Sequence, residues 1–283
     1  MKTSAPLLLL LLVFAFASTP SQSEAVIPWR VGESCDLYGA DRLICVEYDD
    51  NDFPFEPKYG HIRHLSFTRG TFTRLNVDAR YGNLTVLTFH FVATLRRLRF
   101  ADYASDFRYL REIVIKNNNV PTQLDTQPPF PTTLNTLRVI GARIDAFENS
   151  SSLASFSGLR RLFLHQVNLA TLDLWYFPGG LRYLSLSNND DVAVDFTAAP
   201  RFTSGLVVAM NWNDVRCDCA FYGQVVTALS SQQVTFEDTQ TFSAPAQSSL
   251  FKCALGSPLA LLSWSNDLKA LKEHNRMRHN CVF

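Results

Sequence analysis

The chain has 283 residues, and 47% of them are apolar, which is enough for a sizeable core and too apolar for a disordered protein. Its 26 Lys and Arg residues balance its 26 Asp and Glu residues, which argues against a histone-like protein or a basic nucleic-acid-binding domain. Length and composition therefore predict a folded protein of one or two domains.

The N-terminus has the features of a secretory signal. Leu7 to Ala17 is an uninterrupted apolar stretch of 11 residues that ends in a small-x-small pattern. As a helix it would span about 16 Å, well short of a hydrocarbon core of roughly 30 Å. We therefore expect residues 1–17 to be a signal peptide, rather than a buried helix, and the mature chain to begin near Ser18.

No later segment has the length and apolar character of a membrane span, so we expect a secreted, soluble, extracellular protein. The two sequons, at Asn83 and Asn149, predict possible glycan sites. The six cysteines fit an oxidising compartment and stand in two groups, near the two ends of the chain. They are Cys35, Cys45, Cys217, Cys219, Cys253 and Cys281.

Between the cysteine groups the chain repeats one pattern: an apolar residue, two variable ones, an apolar one, one variable one and an apolar one. Successive copies are 22, 26, 24, 25, 22 and 24 residues apart. This is the leucine-rich-repeat pattern at its usual period, in which the alternating apolar pair points inward from a short parallel strand. The copies begin at Ile62, Leu84, Leu110, Leu134, Leu159, Leu181 and Gly205.

An asparagine stands eight residues after the start of three copies, at Asn118, Asn189 and Asn213. We expect its amide to satisfy backbone groups in the turn that leaves the strand. Where another residue replaces it, we expect this ladder to be interrupted and the convex loops to be irregular. Those positions are Gly70, Val92, Ala142 and Val167.

The even spacing, without long helical periodicity between copies, favours a solenoid over an ordinary α/β domain. The predicted fold is an α/β leucine-rich-repeat solenoid of about seven repeats, over residues 59–213.

The segment from Asn213 to Cys219 resembles the N-P-x-x-C-x-C opening of the cysteine-rich C-terminal cap in the Toll and Slit families, with Asp214 in place of the proline. The resemblance implies caps over residues 18–58 and 214–283, and a helix after Cys219 with an apolar face that includes Val225. The disulfides that it implies are Cys35–Cys45, Cys217–Cys253 and Cys219–Cys281.

Within that class, the single N-terminal cysteine pair and the short array look most like the arthropod leucine-rich immune proteins. Those proteins usually add a coiled coil and extra cysteines for dimerisation, and neither follows Cys281 here. The resemblance implies a role in innate immunity, while the full pairing of the cysteines predicts no covalent dimer. A structural component of the extracellular matrix or of cell adhesion is the alternative.

Motifs for enzymatic chemistry are missing: there is no G-x-S-x-G elbow, no H-E-x-x-H and no phosphate-binding loop. We therefore expect no enzyme, no cofactor and no metal; Cys217 and Cys219 alone are a poor zinc site. His64, His90 and His165 fall on outward strand positions, where histidines are usually solvated, with metal binding or pH sensing as the alternative.

The C-terminal segment between Lys269 and His279 is basic. It fits the solvated face of a cap helix that begins near Asn266 and buries Leu268 and Leu271. A contact with an anionic surface or glycan is the alternative.

The variable strand residues predict a binding surface on the concave face, because alternate side chains of a strand point to opposite sides. They are basic, with only the acidic Glu112 among them, and so predict an acidic protein or an anionic glycan as partner, and no nucleic acid. The alternative is that arginines merely tolerate an exposed strand. The predicted partner-binding residues are Arg63, His64, Arg69, His90, Arg111, Lys116, Arg138, Arg160, Arg161, His165, Arg182 and Tyr183. The predicted apolar anchors are Phe91, Phe163, Tyr183 and Trp212.

Overall fold

The computed structural model describes residues 35–48, 59–71, 82–92, 95, 97–99, 107–118, 123–125, 131–143, 153–167, 171–189, 193–197, 201–202, 205–210, 213–215, 224–225, 227–228, 230–236 and 251–253. All of them belong to one compact unit, Ser34–Phe283. Several predictions lie outside the described residues: the signal peptide, the two C-terminal disulfides, the sequon at Asn149, Trp212 and the basic segment from Lys269 to His279.

The main element is a ten-stranded sheet. Its two N-terminal strands form an antiparallel hairpin, and every later strand joins in parallel. In sheet order the strands are β1 (Cys35–Tyr38), β2 (Arg42–Val46), β3 (His64–Thr68), β4 (Val86–His90), β6 (Glu112–Lys116), β8 (Thr136–Ile140), β9 (Arg161–His165), β11 (Tyr183–Ser185), β13 (Leu206–Ala209) and β15 (Val234–Phe236).

Each predicted copy of the repeat contributes one strand, from β3 to β13, and the register follows the spacing of the sequence. Paired residues are separated along the chain by the same steps of 22, 26, 24, 25, 22 and 24 residues that separate the copies. The chain is therefore a leucine-rich-repeat solenoid, as predicted. Going from β3 to β13, the residues paired in one row are His64, Val86, Glu112, Thr136, Arg161, Tyr183 and Val207.

The core lies behind the sheet, where the alternating apolar pair of every copy is buried. Leu65 and Phe67 of β3 and Leu87 and Phe89 of β4 are at most 1% exposed. The rings of Phe67 and Phe89 stack with centroids 5.9 Å apart. Each buried side chain of this size contributes roughly 1.5–3 kcal/mol, so the repeated pair is the main source of stability.

In the main sheet, each strand from β2 to β9 is followed directly by a residue in the left-handed region, and β11 is followed by one three residues later; we call this row the left-handed column. Residues of this column continue the hydrogen bonding between neighbouring strands. For example, the N–H of Arg69 donates to the carbonyl of His90 over 2.9 Å. At Gly141 a Cβ would contact Oδ1 of Asn117, so a larger residue there would require the Asn117 side chain to move. The column comprises Glu47, Arg69, Phe91, Asn117, Gly141, Gln166 and Asn188.

The repeat asparagines satisfy the backbone of the preceding repeat. Oδ1 of Asn118 accepts from the N–H of Val92 over 3.0 Å, and Oδ1 of Asn189 accepts from the N–H of Val167 over 2.9 Å. The backbone N–H groups of Val92 and Val167 are thus satisfied by the asparagine of the next copy, whereas Val92 and Val167 have no side-chain amide to do the same for the copy before them.

The segments that connect the strands are also more regular than expected. After Val92 and Val167 the chain forms short strands instead of irregular loops, and these pair in parallel in two-stranded sheets. The pairs are β5 (Arg97–Arg99) with β7 (Gln123–Asp125), β10 (Thr171–Asp173) with β12 (Ala193–Asp195), and β14 (Asn213–Val215) with β16 (Phe251–Cys253). Within the described ranges, Leu153–Ser155 and Leu174–Tyr176 form 3-10 helices.

Both predicted caps contribute strands to the main sheet. Cys35 and Cys45 form the predicted N-terminal disulfide, which joins β1 to β2. After β14 the chain is helical at residues 224, 225, 227, 228 and 230, with Val225 and Ala228 buried, and β15 then extends the sheet. Within the described part of the chain, no helix has the length and hydropathy needed to cross a membrane.

Candidate functional site

The side of the sheet that faces away from the core is the candidate site, and we call it the strand face. Neighbouring strands are about 4.8 Å apart, so equivalent residues form rows across it. From β2 onward, the first row is Arg42, His64, Val86, Glu112, Thr136, Arg161, Tyr183 and Val207. The middle row is Ile44, Ser66, Thr88, Val114, Arg138, Phe163, Ser185 and Ala209. The last row is Val46, Thr68, His90, Lys116, Ile140 and His165.

The structure divides the predicted binding residues among three places. Those on the strand face are His64, His90, Lys116, Arg138, Arg161, His165 and Tyr183. Those that stand one residue before a strand are Arg63, Arg111, Arg160 and Arg182. Arg69 follows β3 and belongs to the left-handed column.

In these four copies, the first variable residue of the repeat therefore stands one residue before the strand. Its backbone continues the ladder, as when the N–H of Arg111 donates to the Thr85 carbonyl over 2.8 Å, but it lies at the margin where the strands begin. Leu206, at the same position in the last copy, is 1% exposed and belongs to the core. We call this margin the N-terminal edge.

Three arginines of the N-terminal edge are exposed: Arg63, Arg111 and Arg182. Among the described residues their side chains make no hydrogen bond or ion pair. Arg63 and Arg111 are two strands apart in the ladder, which corresponds to roughly 10 Å. Arg160 is held instead against its own turn, because Nη1 donates to the carbonyls of Ser157 and Leu159 over 2.5 and 3.0 Å.

The centre of the strand face is an ion pair on an aromatic base. Nε of Arg138 donates to Oε1 of Glu112 over 2.5 Å, and its guanidinium lies 3.9 Å from the centroid of Phe163. Phe163 contacts Tyr183 with centroids 5.3 Å apart. Arg138 is thus largely neutralised in place, which the sequence did not reveal because Glu112 is 26 residues away.

Two histidines of the strand face are held neutral. Burial, and then the charge of Arg138, lower the pKa of His165, whose Nε2 lies 2.7 Å from Oγ of Ser185. Burial, and then Lys116, lower the pKa of His90. Both imidazoles are therefore uncharged at neutral pH, and they add no positive charge to the surface there.

His165 and Ser185 have the spacing of a base and a nucleophile, but the site lacks the rest of a hydrolase. Ser185 is only 3% exposed, so a substrate has no access to its hydroxyl. Along the described ranges, no bonded carboxylate orients the other ring nitrogen of His165. The same ranges hold no group of three or more His, Cys, Asp or Glu residues that could bind a metal ion.

The two basic surfaces carry a local excess of positive charge on a neutral chain. From β2 to β13 the strand face has four cations, Arg42, Lys116, Arg138 and Arg161, against the single carboxylate of Glu112. The N-terminal edge has four arginines against Asp41. The excess is therefore about three charges on each surface, which makes both attractive to anions.

Exposed aromatic side chains stand at the margins of the solenoid. Phe91, a predicted anchor, is 43% exposed. Tyr109 and Trp175, which the sequence reasoning missed, are 55% and 51% exposed, and the Trp175 ring lies under the Arg201 guanidinium at 4.3 Å. Both lie in connecting segments, outside the pattern that identifies strand residues.

In comparisons with known proteins, this chain matches a solved structure at low sequence identity. No family model and no curated protein matches this chain. Among solved structures, human 5T4 (Wnt-activated inhibitory factor 1, trophoblast glycoprotein) matches 75% of this chain and 91% of its own, with 17% identity and a TM-score of 0.42. The spacing of the copies and the strand ladder, rather than this likeness, establish the repeat architecture.

Proposed function

We propose that the chain is a secreted leucine-rich-repeat binding protein that captures an anionic partner, an acidic protein surface or a sulfated glycan, on the strand face and its N-terminal edge. The observation that carries the proposal is the row of exposed arginines Arg63, Arg111 and Arg182, which have no partner within the described residues. Cations that have no partner in the described ranges and are held on a backbone ladder are ready to bind an anion, with little further ordering of the backbone.

The strand face would be the concave side of the solenoid, where a partner gains contact with several repeats at once. Its cations attract an acidic partner over the Debye length of about 8–10 Å and lose that attraction as salt rises. The aromatic base of Phe163 and Tyr183 supplies apolar contact beside the charges.

An extracellular location and a role in innate immunity complete the proposal. The disulfide between Cys35 and Cys45 supports an oxidising compartment. The immune role rests on the likeness of the cysteine arrangement to the arthropod immune proteins, and we propose no enzymatic activity and no covalent dimer. A matrix or adhesion role predicts retention on tissue rather than recovery from body fluid.

Replacing Arg63, Arg111 and Arg182 together by serine tests the binding surface. We expect heparin affinity to fall by about tenfold, since each exposed charge contributes up to about 1 kcal/mol. The measurement is the salt concentration that elutes the full chain from a heparin column. The fold should persist, because these side chains are exposed and make no hydrogen bond or ion pair within the described part of the chain.

A charge-matched control removes Lys272, Arg276 and Arg278, which lie outside the described residues. This variant should keep most of the heparin affinity. Unchanged elution of the edge variant, or a larger loss in the control, would place anion binding elsewhere on the chain.

A further inference from the structure

Phe91 is an unusual residue for its position in the left-handed column. Its φ is 55°, a conformation that brings the Cβ of an L-residue close to the following carbonyl oxygen and favours glycine or asparagine. Asparagine or glycine stands at positions 117, 141 and 188 of the same column, and polar residues stand at Glu47, Arg69 and Gln166, so Phe91 has the one apolar side chain among the described residues of the column. Phe91 has neither the freedom of glycine nor the local hydrogen bonding of asparagine, so its backbone is strained here.

Core packing does not explain the choice of phenylalanine. The side chain of Phe91 is 43% exposed. Its ring stacks on His90, a residue of the strand face, with ring centroids 4.3 Å apart. A smaller polar residue would relieve the strain and remove the exposed apolar surface. Stability alone therefore favours replacing Phe91, which points to a role in binding.

Cations stand on both strands that neighbour Phe91 in the ladder. Arg69 is the neighbour of Phe91 in the left-handed column, on the adjacent strand, and its side chain is exposed. On the other side, the N–H of Phe91 donates to the Lys116 carbonyl over 3.0 Å. In the described chain, neither Arg69 nor Lys116 makes a side-chain hydrogen bond or ion pair.

We propose that Phe91, Arg69 and Lys116 form an anchor for a protein segment that presents an apolar side chain beside a carboxylate. We call these three residues the edge anchor. In this anchor, the Phe91 ring packs against the apolar side chain of the bound segment, and the two cations pair with its carboxylate. The inference rests on the proposed function, and it makes the occupant of this edge an acidic protein segment instead of a glycan.

Two variants separate binding from folding. Phe91→Asn removes the ring and relieves the strain, so we expect it to raise the thermal midpoint by about 2 °C and to weaken binding. Gln166→Asn relieves a similar strain, with φ of 53°, at an exposed position of the same column. It should give a similar gain in stability with binding unchanged, because it leaves the edge anchor intact.

The probe is a random-peptide library displayed on phage and selected on the immobilised full chain. Enriched peptides should carry an aromatic or aliphatic residue next to Asp or Glu. As synthetic peptides followed by fluorescence polarisation, they should bind Phe91→Asn about tenfold more weakly and Gln166→Asn like the unchanged protein.

Failure to enrich peptides, enrichment without this residue pair, or equal binding to Phe91→Asn would overturn the edge anchor. A loss of heparin retention in Phe91→Asn without peptide binding would make the occupant a glycan and would also overturn it. The proposed function fails separately, through the arginine variant of the N-terminal edge, because Phe91→Asn leaves Arg63, Arg111 and Arg182 in place.

Discussion

At the scale of single residues, position in the repeat sets the chemical state of a side chain more than residue type does. Arg63 and Arg138 are both strand-region arginines in the sequence, yet Arg63 is exposed and unpaired among the described residues, whereas Arg138 is paired with Glu112 and stacked on Phe163. The sequence predicted which residues lie near the strand face, since that follows from alternation. It did not predict these pairings, because they join residues about one repeat apart.

His165 should make the stability of the protein depend on pH. Its pKa is lowered in the folded chain, mainly by burial and then by Arg138, while in the unfolded chain it has its ordinary value near 6.5. The unfolded state therefore binds more protons, and stability that is present above about pH 6.5 is lost as the pH falls towards the folded pKa.

Replacing His165 by glutamine should remove this part of the pH dependence. Urea denaturation between about pH 7.5 and 5.5 should show a smaller loss of unfolding free energy in His165→Gln than in the unchanged protein. An equal loss in the two proteins would mean that the His165 environment does not disfavour the imidazolium.

At the scale of elements, spacing predicted the register of the main sheet because each strand has to place its apolar pair in one common core. A slip of one residue between β3 and β4 would expose Leu87 and Phe89, so the register follows directly from the repeat. The short strands β5 and β10 were not predicted, since they follow Val92 and Val167, where the repeat asparagine is missing.

The two repeat asparagines at Asn118 and Asn189 are bonded to different extents, and this predicts unequal effects of two substitutions. Asn189 accepts from Val167 and donates to the carbonyls of Leu164 and Leu186 over 2.7 and 2.6 Å. Asn118 accepts from Val92, while its own Nδ2 is buried and has no hydrogen-bond partner among the described residues.

Asn189→Leu should lower the free energy of unfolding by roughly 3 kcal/mol or more, because several buried backbone groups lose their partners. Asn118→Leu should cost only about 1 kcal/mol, since removing the unsatisfied amide partly offsets the loss at Val92. Urea denaturation measures both values, and equal costs would contradict this description of the ladder.

At the scale of the whole molecule, the repeat concentrates positive charge on one part of the surface although the chain as a whole is neutral. The seven copies bring residues 22 to 26 positions apart into adjacent strands, so that arginines distant in sequence share the N-terminal edge. The sequence predicted a basic surface, but the structure distributes it over the strand face and the edge, and the edge holds the arginines that are exposed and unpaired in the described chain.

The most direct measurement is a footprint of arginine accessibility on the full chain, with and without bound heparin. An arginine-selective dicarbonyl reagent followed by mass spectrometry should modify Arg63, Arg111 and Arg182 in the free protein and spare them in the complex. Arg201, whose guanidinium stacks on the Trp175 ring and donates to the Trp175 carbonyl, should react equally in both states because it is already engaged. Modification of the three edge arginines in the heparin complex to the same extent as in the free protein would contradict the account.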